Sequence, residues 1–191
     1  MIKPLISASK GSNDFQTPAS AVVPLLRYLK RDWLIWEPAM GKGNIVMALL
    51  RNGFRVRGSD IITGQDFLKS DGGLFDCIVS NPPYSLKTEF IRKAYSLGKP
   101  WALLMPLSAL GARSRLQLYK QYGIELLLLD KRVDFETPSG KGSGAWFATA
   151  WFCWKLLPEP LMFGEVPVLD KLPEPDIKLD IFNMGSSRAL A

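Results

Sequence analysis

The chain contains no histidine. That absence removes Ser-His-Asp triads, Cys-His pairs and histidine-ligated metals, so any chemistry here runs without an imidazole base. Cysteine is nearly as scarce. Cys77 and Cys153 are the only two, and both sit in apolar, strand-like runs. They read as buried thiols of a reducing compartment, not as a disulfide or a metal site. Long apolar runs are missing as well. None approaches the ~20 residues that cross a bilayer. The opening residues 1–14 lack the apolar stretch of a secretory signal. Neither a membrane nor a metal is expected as a partner.

What remains is ample for one domain. The 191 residues are 47% hydrophobic, which supports a packed core and excludes a disordered chain. The net charge of +6 favours a polyanionic partner.

Apolar runs alternate with amphipathic ones. Residues 33–37, 54–60, 75–80, 101–106, 124–130 and 145–155 read as strands. Residues 44–52, 87–97 and 112–122 have helical apolar spacing, each closed by a glycine. Such alternation predicts an α/β fold with a largely parallel sheet. From Leu156 onward the chain is rich in proline and acid and reads as an extended tail.

Open α/β sheets bind ligands at the carboxyl ends of their strands. After the first strand comes Glu37-Pro38-Ala39-Met40-Gly41-Lys42-Gly43, whose glycine pair permits a tight turn and close backbone approach. An ordinary strand-to-helix turn is the plainer reading. After the second strand comes Asp60, placed to hold ribose hydroxyls or simply to cap a turn. Asp66 and Phe67 follow.

After the third strand comes Asn81-Pro82-Pro83-Tyr84. Each proline fixes its own φ and bars the preceding residue from the helical region, giving a stiff extended loop. Proline offers a carbonyl and no N–H. The Asn81 side-chain oxygen and the Pro82 carbonyl can therefore present two acceptors in fixed relation, which suits an –NH2 group. Tyr84 adds a flat face on which a ring can stack. A proline-rich turn is the plainer alternative.

In this order the motifs resemble the S-adenosylmethionine-dependent amino-methyltransferases, most closely the N6-adenine DNA methyltransferases carried by phages and restriction-modification systems. The resemblance covers residues 1–155 as the methyltransferase domain and leaves 156–191 as a Pro-rich C-terminal tail. It implies a Rossmann-like methyltransferase fold: a mostly parallel central sheet with an antiparallel last strand and helices on both faces. S-adenosyl-L-methionine is the implied cofactor. Phe15, Thr17 and Pro18, in Asp14-Phe15-Gln16-Thr17-Pro18, are implied at its methionine part. Glu37, Pro38, Gly41 and Gly43 match the Gly-rich cofactor loop. Asp60, with Ile61, matches the ribose acid, and Asp66 and Phe67 match the acid and aromatic beside the cofactor adenine. Asn81, Pro82, Pro83 and Tyr84 match the catalytic loop. The implied reaction is direct in-line methyl transfer to the N6 amine of an adenine flipped out of DNA, in the cytoplasm of a bacterium or phage-infected host.

Three alternatives stand beside it: an RNA adenine methyltransferase, a protein glutamine methyltransferase, and an inactive relative that only binds nucleic acid or a partner. Pro38 and the positive charge favour nucleic acid over glutamine. Many family members carry a separate target-recognition domain, for which this chain has no room. DNA contacts are therefore expected from loops at the carboxyl edge. Arg113, Arg115, Arg132 and Lys141 are candidate phosphate contacts, and Trp146 and Phe147 candidate stacking residues.

Overall fold

The computed structural model describes residues 16–135 and 147–168. Its elements are α1 (Ala19–Val22), continued by a 3-10 turn Val23–Tyr28, then β1 (Leu34–Glu37), α2 (Asn44–Arg51), β2 (Arg55–Gly58), β3 (Cys77–Ser80), α3 (Lys87–Leu97), β4 (Trp101–Pro106), α4 (Arg113–Tyr122), β5 (Glu125–Leu129), β6 (Thr149–Trp154) and β7 (Leu161–Gly164). The strands form one sheet in the order β2-β1-β3-β4-β6-β5-β7. Strand β6 alone runs against its neighbours, antiparallel to both β4 and β5, while β7 pairs parallel with β5. This is the expected Rossmann-like methyltransferase fold.

One element departs from expectation. The sheet does not end with β6. The short Leu161–Gly164 strand lies in the segment read as a tail and completes the edge beside β5. Its exposed Leu161 and Phe163 alternate with half-buried Met162 and buried Gly164. Four residues after a proline-rich turn are too few for that pattern to stand out in the sequence.

The sheet divides the core in two. On one face Ile35, Val79, Leu104 and Trp151 pack against α1 and α2, through Ala21, Val22, Ile45 and Leu49. On the other, Trp36, Ile78, Leu103 and Phe152 pack against α3 and α4, through Phe90, Ile91, Tyr95 and Tyr119. The strands β3 and β4 are buried along their whole length, as parallel central strands covered on both faces must be. Cys77 and Cys153 are free and wholly buried, and burial pushes both thiols up and keeps them protonated. Among the described residues no helix is long and apolar enough to cross a membrane.

Candidate active site

Parallel pairing aligns the ends of β1, β2 and β3. Glu37 lies opposite Gly58, and Trp36 opposite Ile78. The Gly-rich loop, the Asp60 turn and the Asn81 loop therefore leave the sheet side by side.

The Gly-rich loop is held by Asp60 and by Gln16. Gly41 (φ 52°) and Gly43 (φ 83°) take left-handed conformations that side chains rarely adopt. Gly43 thereby opens α2 as its N-cap. The Gly41 N–H donates to Asp60 Oδ2 at 2.9 Å, and the Lys42 N–H donates to Gln16 Oε1 at 3.1 Å. A Cβ on Gly41 would press on the Gln16 amide at 3.0 Å. Gln16 thus ties the N-terminal motif to the loop, a role its place between Phe15 and Thr17 did not advertise.

Asp60 acts as a turn residue. Its Oδ1 accepts the Ile62 N–H at 2.9 Å and caps the short 3-10 turn Ile61–Thr63. Each carboxylate oxygen keeps a second lone pair, so capping leaves acceptor capacity for hydroxyls. Directly after it Ile61 and Ile62 are 58% and 89% exposed, an apolar surface left open beside a buried acid.

Glu37 is buried to 1% exposure. Its Oε1 accepts the Ala39 N–H at 3.0 Å and the Ser80 hydroxyl at 2.6 Å. Among the described residues its Oε2 has no hydrogen-bond partner, and neither has the buried hydroxyl of Thr17. Desolvation pushes the Glu37 carboxyl up to about 8 despite those bonds, with Asp60 adding repulsion.

The third loop follows Ser80. Pro82 is buried, while Asn81, Pro83 and Tyr84 are half-buried. Pro83 is extended (φ −59°, ψ 120°) and leads into a 3-10 turn at Tyr84–Leu86. The Tyr84 ring meets Phe147 edge-on at 5.7 Å and Phe135 at 6.5 Å. Burial pushes its phenol up, so it stays neutral. Phe135 and Phe147 flank the 136–146 segment and bring two more aromatic rings to Tyr84.

Several expected residues stand elsewhere. Phe67 is 2% exposed and packs on Trp36 and Phe90, so it is a floor residue and not an open stacking face. Asp66 accepts the Leu68 N–H and pairs with Lys69 at 3.1 Å. It lines an open cleft of about 550 Å³ together with Trp36, Arg57 and Gln65. Pro18 caps α1 without a side-chain bond, and Pro38 is buried within the loop. Arg115 corrects the phosphate-contact expectation: it is 8% exposed and donates to the Ala109 and Gly111 carbonyls and to Thr88 Oγ1. Arg113 and Arg132 are exposed. Phe15, Lys141 and Trp146 lie outside the described residues. No cluster of three or more Cys, Asp or Glu able to hold a metal occurs among the described residues.

No protein-family model matches the chain, and no curated protein matches it by sequence. Solved structures do match by fold. One, described as a modification subunit of a type I restriction enzyme from Vibrio vulnificus, superposes with a TM-score of 0.51 at 13% identity, covering 86% of this chain and 49% of that one. Another, described as a class I S-adenosylmethionine-dependent methyltransferase from Listeria monocytogenes, gives 0.54 at 17%, covering 79% and 65%. A third, described as an RNA methyltransferase from Pyrococcus horikoshii, gives 0.53 at 14%, covering 75% and 87%. The chain thus spans half to two-thirds of the length of the first two.

Proposed function

We propose that this chain is an S-adenosylmethionine-dependent methyltransferase acting on the exocyclic N6 amine of adenine in DNA. The observation that carries the reading is the meeting of two loops: the Asn81-Pro82-Pro83-Tyr84 loop leaves β3 beside the glycine loop of β1, with Ser80 and Glu37 in contact at their roots. The names of the structural neighbours support methyl transfer. The net charge and the restriction-modification neighbour support DNA.

The cofactor fits the unsatisfied groups. Glu37 Oε2 and the Thr17 hydroxyl are buried without partners among the described residues, a costly state unless a polar ligand meets them. They would hold the methionine end, with Pro18 next to Thr17 in the chain. Asp60 would take the ribose hydroxyls, Ile61 would cover the adenine, and Asp66 would approach it from the neighbouring cleft. When bound, the cofactor supplies an electrophilic methyl on a sulfonium. The chain's own residues then do three things. Asn81 and the Pro82 carbonyl would accept hydrogen bonds from the two amine N–H groups and turn the nitrogen lone pair outward, and the amine proton lost on methylation would leave to solvent. Tyr84 and Phe147 receive the flipped base. The rigid prolines fix these groups in advance, so the transfer needs positioning and preorganised acceptors and no imidazole.

The test is incubation with tritiated S-adenosylmethionine and, separately, duplex DNA, single-stranded DNA, RNA and protein extract, followed by digestion to nucleosides or amino acids. The expected product is N6-methyladenine from DNA. Asn81→Ala should lower turnover by about 10²–10³-fold, as losing a preorganised hydrogen-bonding group does, with cofactor affinity nearly unchanged. Label in RNA adenine or in protein glutamine would replace the substrate assignment, and an unimpaired Asn81→Ala enzyme would remove the catalytic one.

A further inference from the structure

Ser80 is absent from the roles assigned so far, yet it occupies an unusual place. It is the last residue of β3 and fully buried, and Asn81 follows it directly. Its hydroxyl donates at 2.6 Å to Glu37, which lies 43 residues away and ends the neighbouring strand. Glu37 Oε1 also accepts the Ala39 N–H, so one oxygen gathers a donor from each loop. The bond is short, at the tight end of the range for a hydroxyl donor.

We propose that Ser80 is a positioning residue for methyl transfer: its bond to Glu37 locks the catalytic loop to the cofactor loop, so that Asn81 meets the donor methyl in register. The inference rests on the methyltransferase reading and adds to it a residue that acts through Glu37. Asn81 is a single peptide, about 3.8 Å between Cα atoms, from the anchored Ser80, so a shift of Ser80 passes to Asn81 with little loss. A displacement near 1 Å in such a site costs about 10²-fold in rate. The groups acting on the Glu37 carboxyl are the Ser80 hydroxyl, the Ala39 N–H and, as the facing charge, Asp60 from the end of β2. The first two favour the ionised form and the third opposes it. Removing the Ser80 donor therefore makes Glu37 harder to ionise.

The test uses the full chain and two independent readouts. Turnover is measured on an adenine-containing duplex, and binding of S-adenosylhomocysteine is followed by calorimetry from pH 6 to 9. Ser80→Ala should lower kcat about 10–100-fold while KM for DNA moves less than about threefold, the pattern of lost positioning. It should also shift the pH midpoint of S-adenosylhomocysteine binding upward. Ser80→Thr, which restores a hydroxyl, should recover both. Ser80→Cys, similar in size but a weak donor, should not. Glu37→Gln should abolish the pH midpoint. Ser80→Ala and Ser80→Cys with unchanged kcat and an unmoved midpoint would reduce Ser80 to a space-filling residue. If Ser80→Ala does not fold, Ser80→Cys carries the comparison. A wild type that methylates no nucleic acid defeats the proposed function, while the binding arm still decides the Ser80–Glu37 link.

Discussion

Glu37 makes the resting protein sensitive to pH. Desolvation is the largest cause, and it raises the carboxyl from 4.5 to about 8. The unfolded chain ionises the same group near the ordinary value of about 4.3. Below that value both states hold the proton and the shift has no effect. Between there and about 8 the unfolded chain has released a proton that the fold retains, so stability falls as pH rises, by at most ~1.4 kcal/mol per pH unit. Above about 8 the loss is complete and constant. Glu37→Gln removes this titration and keeps an acceptor for Ser80 and Ala39. Its melting temperature should therefore gain on the wild type between pH 5 and pH 8 and run parallel beyond. Thermal melts across that range check it; a constant difference between the two proteins would mean that Glu37 is ionised in the resting fold. The residue type and its place after a strand were legible in the sequence. Its protonation state was not, because that depends on burial and on Ser80, 43 residues away.

At the scale of elements, Arg115 shows how a charge can mislead. In the sequence it stands with Arg113 just after β4, in a loop that invites a phosphate. In the fold its guanidinium turns inward and staples the 3-10 turn at Leu107–Leu110 to α4 and to Thr88 of α3. A buried guanidinium with carbonyl partners is structural, and removing it leaves those carbonyls unsatisfied. Arg115→Ala should cost about 2–4 kcal/mol, from several charge-assisted bonds removed in a buried site, seen as a lower urea midpoint. Arg113→Ala should be nearly silent in the same assay. Equal, small effects would return Arg115 to the surface. Among the six strands and three helices read from the sequence, β3 and β4 were legible because buried parallel strands are continuous apolar runs, and the helices because glycines close them. Strand β7 was not, since its two outward residues are apolar and exposed, against the usual alternation. The short α1 went unread too, its four residues too few to show a period.

The whole molecule carries a surplus of six positive charges, and the fold directs part of it to one edge. Arg113 opens α4 just after β4, and Arg132 lies just after β5, so both stand at the carboxyl edge where the Asn81 loop opens. Lys131 lies beside Arg132, but its Nζ donates to the Val166 carbonyl at 3.1 Å and anchors the chain after β7. Lys141 belongs to the segment between Phe135 and Phe147, the two aromatics that meet Tyr84. If this edge grips DNA, it does so chiefly through phosphates, which supply affinity and carry no sequence information. Replacing Arg113, Arg132 and Lys141 together with alanine should weaken binding to unrelated duplexes alike. The slope of log K against log salt should shrink by about 0.9 for each phosphate that is no longer neutralised. S-adenosylhomocysteine affinity should stay the same, because side chains that serve phosphates alone take no part in holding the cofactor. Fluorescence anisotropy at several salt concentrations reads the slope, with Arg115→Ala as the variant expected to leave it unchanged. If phosphates dominate the contacts, methylated adenines mapped on a random-sequence plasmid should share only a short motif. An unchanged slope in the triple variant would move the DNA-binding surface away from this edge. A long, strictly defined methylation site would require base-reading groups beyond those this edge presents.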